Sequence, residues 1–205
     1  MDVRQALLQV SEIRAHLART ETFRGYRSLT VGFSGLVGVV AAAVQALWLA
    51  QPTEQLVAYL ALWISAATVS VLVIGIDILR RARASQSAVT RRATIAALEQ
   101  FTPALVVGGL LTVVIARRAP DTAWMLPGLW ALVFSLGAFA SCRQLPRPVA
   151  LAGLWYVAGG VLSLAWGHGA AALSPWLMGG TFGGGQLLTA ALLHVTCERP
   201  PRVED

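Results

Sequence analysis

Six apolar runs of about spanning length, separated by short polar connections, constrain this chain more than any motif it carries. A helix needs about 20 apolar residues to cross a hydrocarbon layer roughly 30 Å thick, because each residue rises about 1.5 Å. Such runs fall near 29–50, 56–79, 95–116, 123–142, 149–167 and 173–195. The separators are Gln51-Pro52-Thr53-Glu54, an arginine-rich loop, the stretches 117–122 and 143–148, and Gly167-His168-Gly169. In hydrocarbon every backbone N–H and C=O must be satisfied within the segment, which selects helices for runs of this kind. The predicted fold is therefore all-α: a six-span transmembrane bundle over 29–197, preceded by a short amphipathic helix and collar at 1–28 and followed by a tail at 198–205.

Composition excludes the obvious soluble alternatives. Hydrophobic residues make up 56% of the 205, charged residues 13%, and the mean hydropathy is +0.64, which is wrong for an ordinary soluble domain. The net charge of +6 does not point to nucleic acid, because the basic residues sit at the ends of apolar runs and not on one folded face. All sixteen are arginine, and they are unevenly placed. Five precede the first run, five lie between residues 80 and 92, two between 143 and 148, and two in the tail; the intervening sides hold only Arg117 and Arg118. Cytoplasmic segments retain arginine, so both termini are expected in the cytoplasm of an inner-membrane, multi-pass protein. A cleaved signal peptide would require an arginine-bearing lead and an apolar run that are both too long for that role. Cys142 and Cys197 then fall at cytoplasmic helix ends, where thiols stay reduced.

Residues 1–28 read as a separate module. Val3, Leu7, Val10, Ile13 and Leu17 recur at helical spacing, with Arg4, Glu12, Arg19 and Glu21 mostly elsewhere. That pattern suits a helix lying among lipid headgroups, or a docking face for a cytoplasmic partner. Along the rest of the chain, three outward-and-return hairpins share a tryptophan early in each return helix: Trp63, Trp130 and Trp176. Tryptophan at a membrane interface accounts for part of this without a repeat.

Several polar residues invite a functional reading. Asp77 and Glu99 are carboxylates inside the ends of apolar runs, where a charge is costly and marks either a solute or proton site or an interfacial ion pair. Asp77 lies three and four residues before Arg80 and Arg81, a helical spacing that favours pairing. Cys142, His194 and Cys197 form the candidate metal set, for zinc or a haem-like cofactor; zinc would need a fourth ligand, from Asp77 or Glu99, so ordinary helix-end residues are the competing reading. Gln186, with Thr181 nearby, could meet a solute within the last span. Its alternative is packing: Gly179 and Gly183 share its stripe, and Gly32, Gly35, Gly38, Gly159 and Gly160 are plausible counterparts on neighbouring helices. No nucleophile–base pair, P-loop or dinucleotide fingerprint is present, and no cofactor is expected.

The Ile13-Arg14 segment, Thr22-Phe23 before the first run, and the stretch 178–186 in the last resemble a group of small bacterial six-span proteins of unknown function. The resemblance implies the six-span count and adds no mechanism. The leading expectation is a noncatalytic membrane bundle that associates with itself or with a cytoplasmic protein. A small-solute or proton-coupled transporter is the alternative, and a lipid-modifying enzyme the third.

Overall fold

The computed structural model describes residues 28–84, 88–141, 148 and 150–198; the N-terminal module, Cys142 and most of the tail lie outside the described residues. Among the described residues every regular element is helical, and six helices follow one another. They are α1 (Ser28–Trp48), α2 (Leu56–Ala84), α3 (Ala88–Arg118), α4 (Leu126–Ser141), α5 (Ala150–Trp166) and a composite α6. The last runs through Pro175–Met178, a π-helical turn at Gly179–Gly183, a regular stretch at Gly184–Leu193 and a second π turn at His194–Glu198. Four stretches are long and apolar enough to cross a membrane: Ser28–Trp48, Leu56–Arg80, Glu99–Arg118 and Pro120–Ser141. Helix α5 is apolar but shorter, at 17 residues.

Local chemistry sets where the helices stop. After α1, the backbone N–H groups of Glu54 and Gln55 both donate to the Gln51 carbonyl at 3.1 Å, forming the turn around Pro52 that opens α2. Pro120 begins a 3₁₀ turn, Pro120–Met125, that reverses the chain between α3 and α4. Between α5 and α6 the chain turns through Gly169 at φ 59° and Leu173 at φ 55°. The left-handed region suits glycine and is unusual for leucine. Pro175 then starts α6 at a position where its missing N–H costs no helical bond.

Residue contacts fix the directions. Gly128 and Gly160 approach Leu164 and Leu132, while Gly153 meets Phe139, so α4 and α5 run antiparallel. In the same way Gly35 meets Leu187, Gly38 meets Gly183 and Gly179 meets Ala42, so α1 and α6 run antiparallel. The bundle thus has one end with Ser28 and Arg80 and an opposite end made of the short turns, where Arg117 and Arg118 close α3. Tyr59, Leu126 and Leu173, one from the return limb of each hairpin, lie near that turn end and are buried to 1% exposure or less.

Hydroxyls within the helices are largely consumed locally. Those of Thr68, Thr112, Ser141 and Thr189 donate to the carbonyls four residues earlier, at 2.7, 2.7, 2.9 and 2.7 Å. A hydroxyl paired in this way can sit in an apolar setting without a partner on another helix.

Candidate functional site

The strongest polar constellation is one that composition and spacing do not single out. Gln45 is fully buried near the turn end of α1. Its amide nitrogen donates to the Leu173 carbonyl at 2.6 Å, and its amide oxygen accepts the Trp63 indole N–H at 2.7 Å. One side chain therefore ties α1 to α2 and to the turn that precedes α6. The same turn holds Leu173 at positive φ, so the amide fixes a backbone segment that its own sequence does not favour. Around this node Ala41, Ala42, Tyr59, Trp63, Leu173 and Met178 make a continuous apolar cluster.

Trp63 and Trp130 both donate their indole N–H to a side chain of the preceding helix. Trp130 donates its indole N–H to Thr112 Oγ1 at 2.8 Å, and in both hairpins 18 residues separate donor from acceptor. The third hairpin departs from this pattern. Trp176 is 70% exposed, and the indole bond comes instead from Trp155 on the outgoing helix. Its N–H reaches the carbonyls of Gly180 and Thr181 at 3.1 and 3.2 Å, within the π turn. A π turn shifts carbonyls out of regular i to i+4 pairing, and an external donor stabilises the displaced groups.

A cluster of rings joins α3, α4, α5 and α6. Phe134 on α4 contacts Phe101 on α3, Tyr156 on α5 and Phe182 on α6, with centroids 4.7, 4.6 and 5.7 Å apart. Edge-on and tilted arrangements such as these are the favoured geometries for aromatic pairs. Tyr156 Oη, within this layer, and Gln100 Oε1, on the residue next to Phe101, are buried without a hydrogen-bond partner among the described residues.

The residues singled out from sequence are distributed as follows. Asp77 is partly buried and accepts a hydrogen bond from Thr30 Oγ1 at 3.0 Å, which links α2 to α1. Arg80 is exposed, and the Arg81 side chain lies outside the described residues. Glu99 is exposed on α3, four residues before Pro103, which the helix passes through. His194 is exposed; Cys142 and the Cys197 side chain lie outside the described residues. Among the described residues no group of three His, Cys, Asp or Glu is placed to hold a metal ion.

Gln186 is partly buried, and among the described residues no hydrogen-bond partner meets its amide. The glycines beside it lie at close contacts. A Cβ on Gly38 would stand 3.0 Å from the backbone of Gly183, and one on Gly179 would stand 2.6 Å from the Ala42 Cβ. Thr181 is buried against Gly159, where an added Cβ would meet its Oγ1 at 2.5 Å. Gly160 approaches Leu132 and the Gly128 carbonyl, whereas Gly32 is in ordinary contact with Ala190 at 3.6 Å.

The fold and these contacts define an all-helical protein with several helices apolar enough to cross a membrane, consistent with a membrane protein. No protein-family model matches the chain, and neither a curated protein nor a solved structure gives a match.

Proposed function

We propose that the chain is an integral membrane protein of six spans, with both termini in the cytoplasm, whose bundle serves association with a second copy or with a partner protein. The observation that carries this reading is the aromatic layer of Phe101, Phe134, Tyr156 and Phe182, which packs side chains of α3, α4, α5 and α6 against one another. The outer faces support it further. Only 11% and 6% of the apolar windows of α2 and α3 are buried within the chain, against 39% for α1. Gly75, Gly108 and Gly109 on these two helices face open space, where small residues admit the close approach of another helix.

The spans and orientation rest on the arginine distribution. Reporter fusions at Pro52, Gln86, Pro120, Pro146, Gly169 and the C-terminus should alternate outside and inside, starting outside. An external C-terminus would remove the topology.

The second reading, passage of a small solute, is favoured by the buried Tyr156 hydroxyl and Gln100 Oε1, because unpaired polar atoms in a lipid-embedded core are costly. Purified protein should be screened for flux in proteoliposomes and for oligomeric state in detergent. A higher-order species with no flux supports association. Solute flux that is lost in Tyr156→Phe, with the fold intact, would replace association with transport.

A further inference from the structure

We propose that the groove between the end of α1 and the start of α2 binds a phospholipid bearing a primary amine, a phosphatidylethanolamine, at the membrane boundary. The proposal goes beyond association and rests on the membrane-spanning reading alone. The groove is a shallow, open depression of about 670 Å³, with Trp48 and Leu49 on one side and Val57, Ala58 and Ala61 of α2 on the other. Trp48 is 79% exposed and Val57 82% exposed, beside the polar turn at Gln51 to Glu54. An indole next to such a turn marks the depth at which hydrocarbon gives way to headgroups. The small side chains of Ala58 and Ala61 leave a furrow along α2 for the upper part of an acyl chain.

Charge selects the headgroup. Glu54 is the only charged side chain among the described residues that line the groove. Gln51, with its amide nitrogen turned towards that carboxylate, donates to both oxygens, which orients the group while leaving its charge in place. A primary ammonium supplies donors and a positive charge to this carboxylate. Phosphatidylglycerol supplies only hydroxyls, and its net negative charge is repelled. The phosphate of the favoured lipid falls beside the first turn of α2, where the positive end of the helix dipole tolerates it.

Native mass spectrometry of the full chain in detergent, with equimolar phosphatidylethanolamine and phosphatidylglycerol of matched acyl chains, tests the assignment. The parent should retain the amine lipid roughly threefold or more over the glycerol lipid, the scale of one partly screened ion pair. Glu54→Gln should bring the ratio close to one, and Ala61→Phe should lower retention of both lipids, with thermal unfolding checking that each variant is folded. Equal retention by the parent, a preference unchanged in Glu54→Gln, or full retention in a folded Ala61→Phe protein would each overturn the lipid site. A chain that stays soluble without detergent and retains neither lipid would overturn the membrane reading itself.

Discussion

The Trp63 indole N–H donates to the Gln45 amide oxygen at 2.7 Å, and both side chains are buried, with Gln45 fully so. This bond forms one half of a bridge, since the Gln45 nitrogen is engaged by the Leu173 carbonyl 128 residues away in sequence. Replacing Gln45 by leucine keeps the volume nearly constant but orphans an indole N–H and a buried carbonyl. Each orphaned group costs about 1–3 kcal/mol, so Gln45→Leu should lose about 2–6 kcal/mol in detergent unfolding. Trp63→Phe in the Gln45→Leu background should then cost less than it does alone, and strict additivity would remove the bridge.

The matching bond in the second hairpin predicts a smaller coupling. Thr112 also donates to the Gly108 carbonyl, so its oxygen remains an acceptor for Trp130 whichever way the bundle relaxes. A double-mutant cycle of Thr112→Val and Trp130→Phe should give a coupling of about 0.6 kcal/mol, typical of hydrogen bonds between membrane helices. A coupling indistinguishable from zero would argue against this contact.

Glycine contacts order the next variants. Gly183→Leu forces a side chain into the Val39 and Gly35 backbone of α1, and overpacking of that kind costs about 1–3 kcal/mol. Gly180→Ala meets nothing within 4 Å and should change stability by less than about 0.5 kcal/mol. Gln186→Leu should also be mild, because no hydrogen-bond partner is lost among the described residues. Thermal unfolding of the three variants gives the order, and a Gly183→Leu protein as stable as the parent would contradict the close packing of α1 on α6.

Thr181 and Gly159 offer a compensation test. An added Cβ at Gly159 would collide with Thr181 Oγ1 and Cγ2, at 2.5 and 2.6 Å, both of which Thr181→Ala removes. Gly159→Ala should therefore destabilise by about 1–3 kcal/mol alone and by clearly less in the Thr181→Ala background. If Thr181→Ala gave no relief, the contact would not be what limits the site.

The sequence by itself determined what is local. Run lengths near 20 residues and the proline and glycine punctuation place the helices: the run expected at 29–50 is the helix Ser28–Trp48, and that expected at 149–167 is Ala150–Trp166. Helix formation in an apolar run needs only neighbours in the chain to pair its backbone, so it can be read without knowing the fold. Helix α3 extends further than expected, from Ala88 to Arg118 through Pro103, because one missing N–H does not outweigh the bonds on either side. The glycines of the first and last runs could also be named as packing candidates, since small residues have few other uses within a span.

Only the tertiary structure decided which polar groups meet. Gln45 and Gln186 are each a lone glutamine in an apolar run, yet one is fully buried with two partners and the other is half-buried with none among the described residues. Nothing within a helical turn of either distinguishes them, because the partners of Gln45 lie on a different helix and in a distant turn. The same holds for Trp155, whose indole is placed by the π turn at Gly179–Gly183, and for Asp77, whose bond from Thr30 on another helix no spacing within its own helix reveals. Helices follow from the chain's own periodicity, whereas contacts between them depend on rotation and depth, which are set only when all the helices pack together.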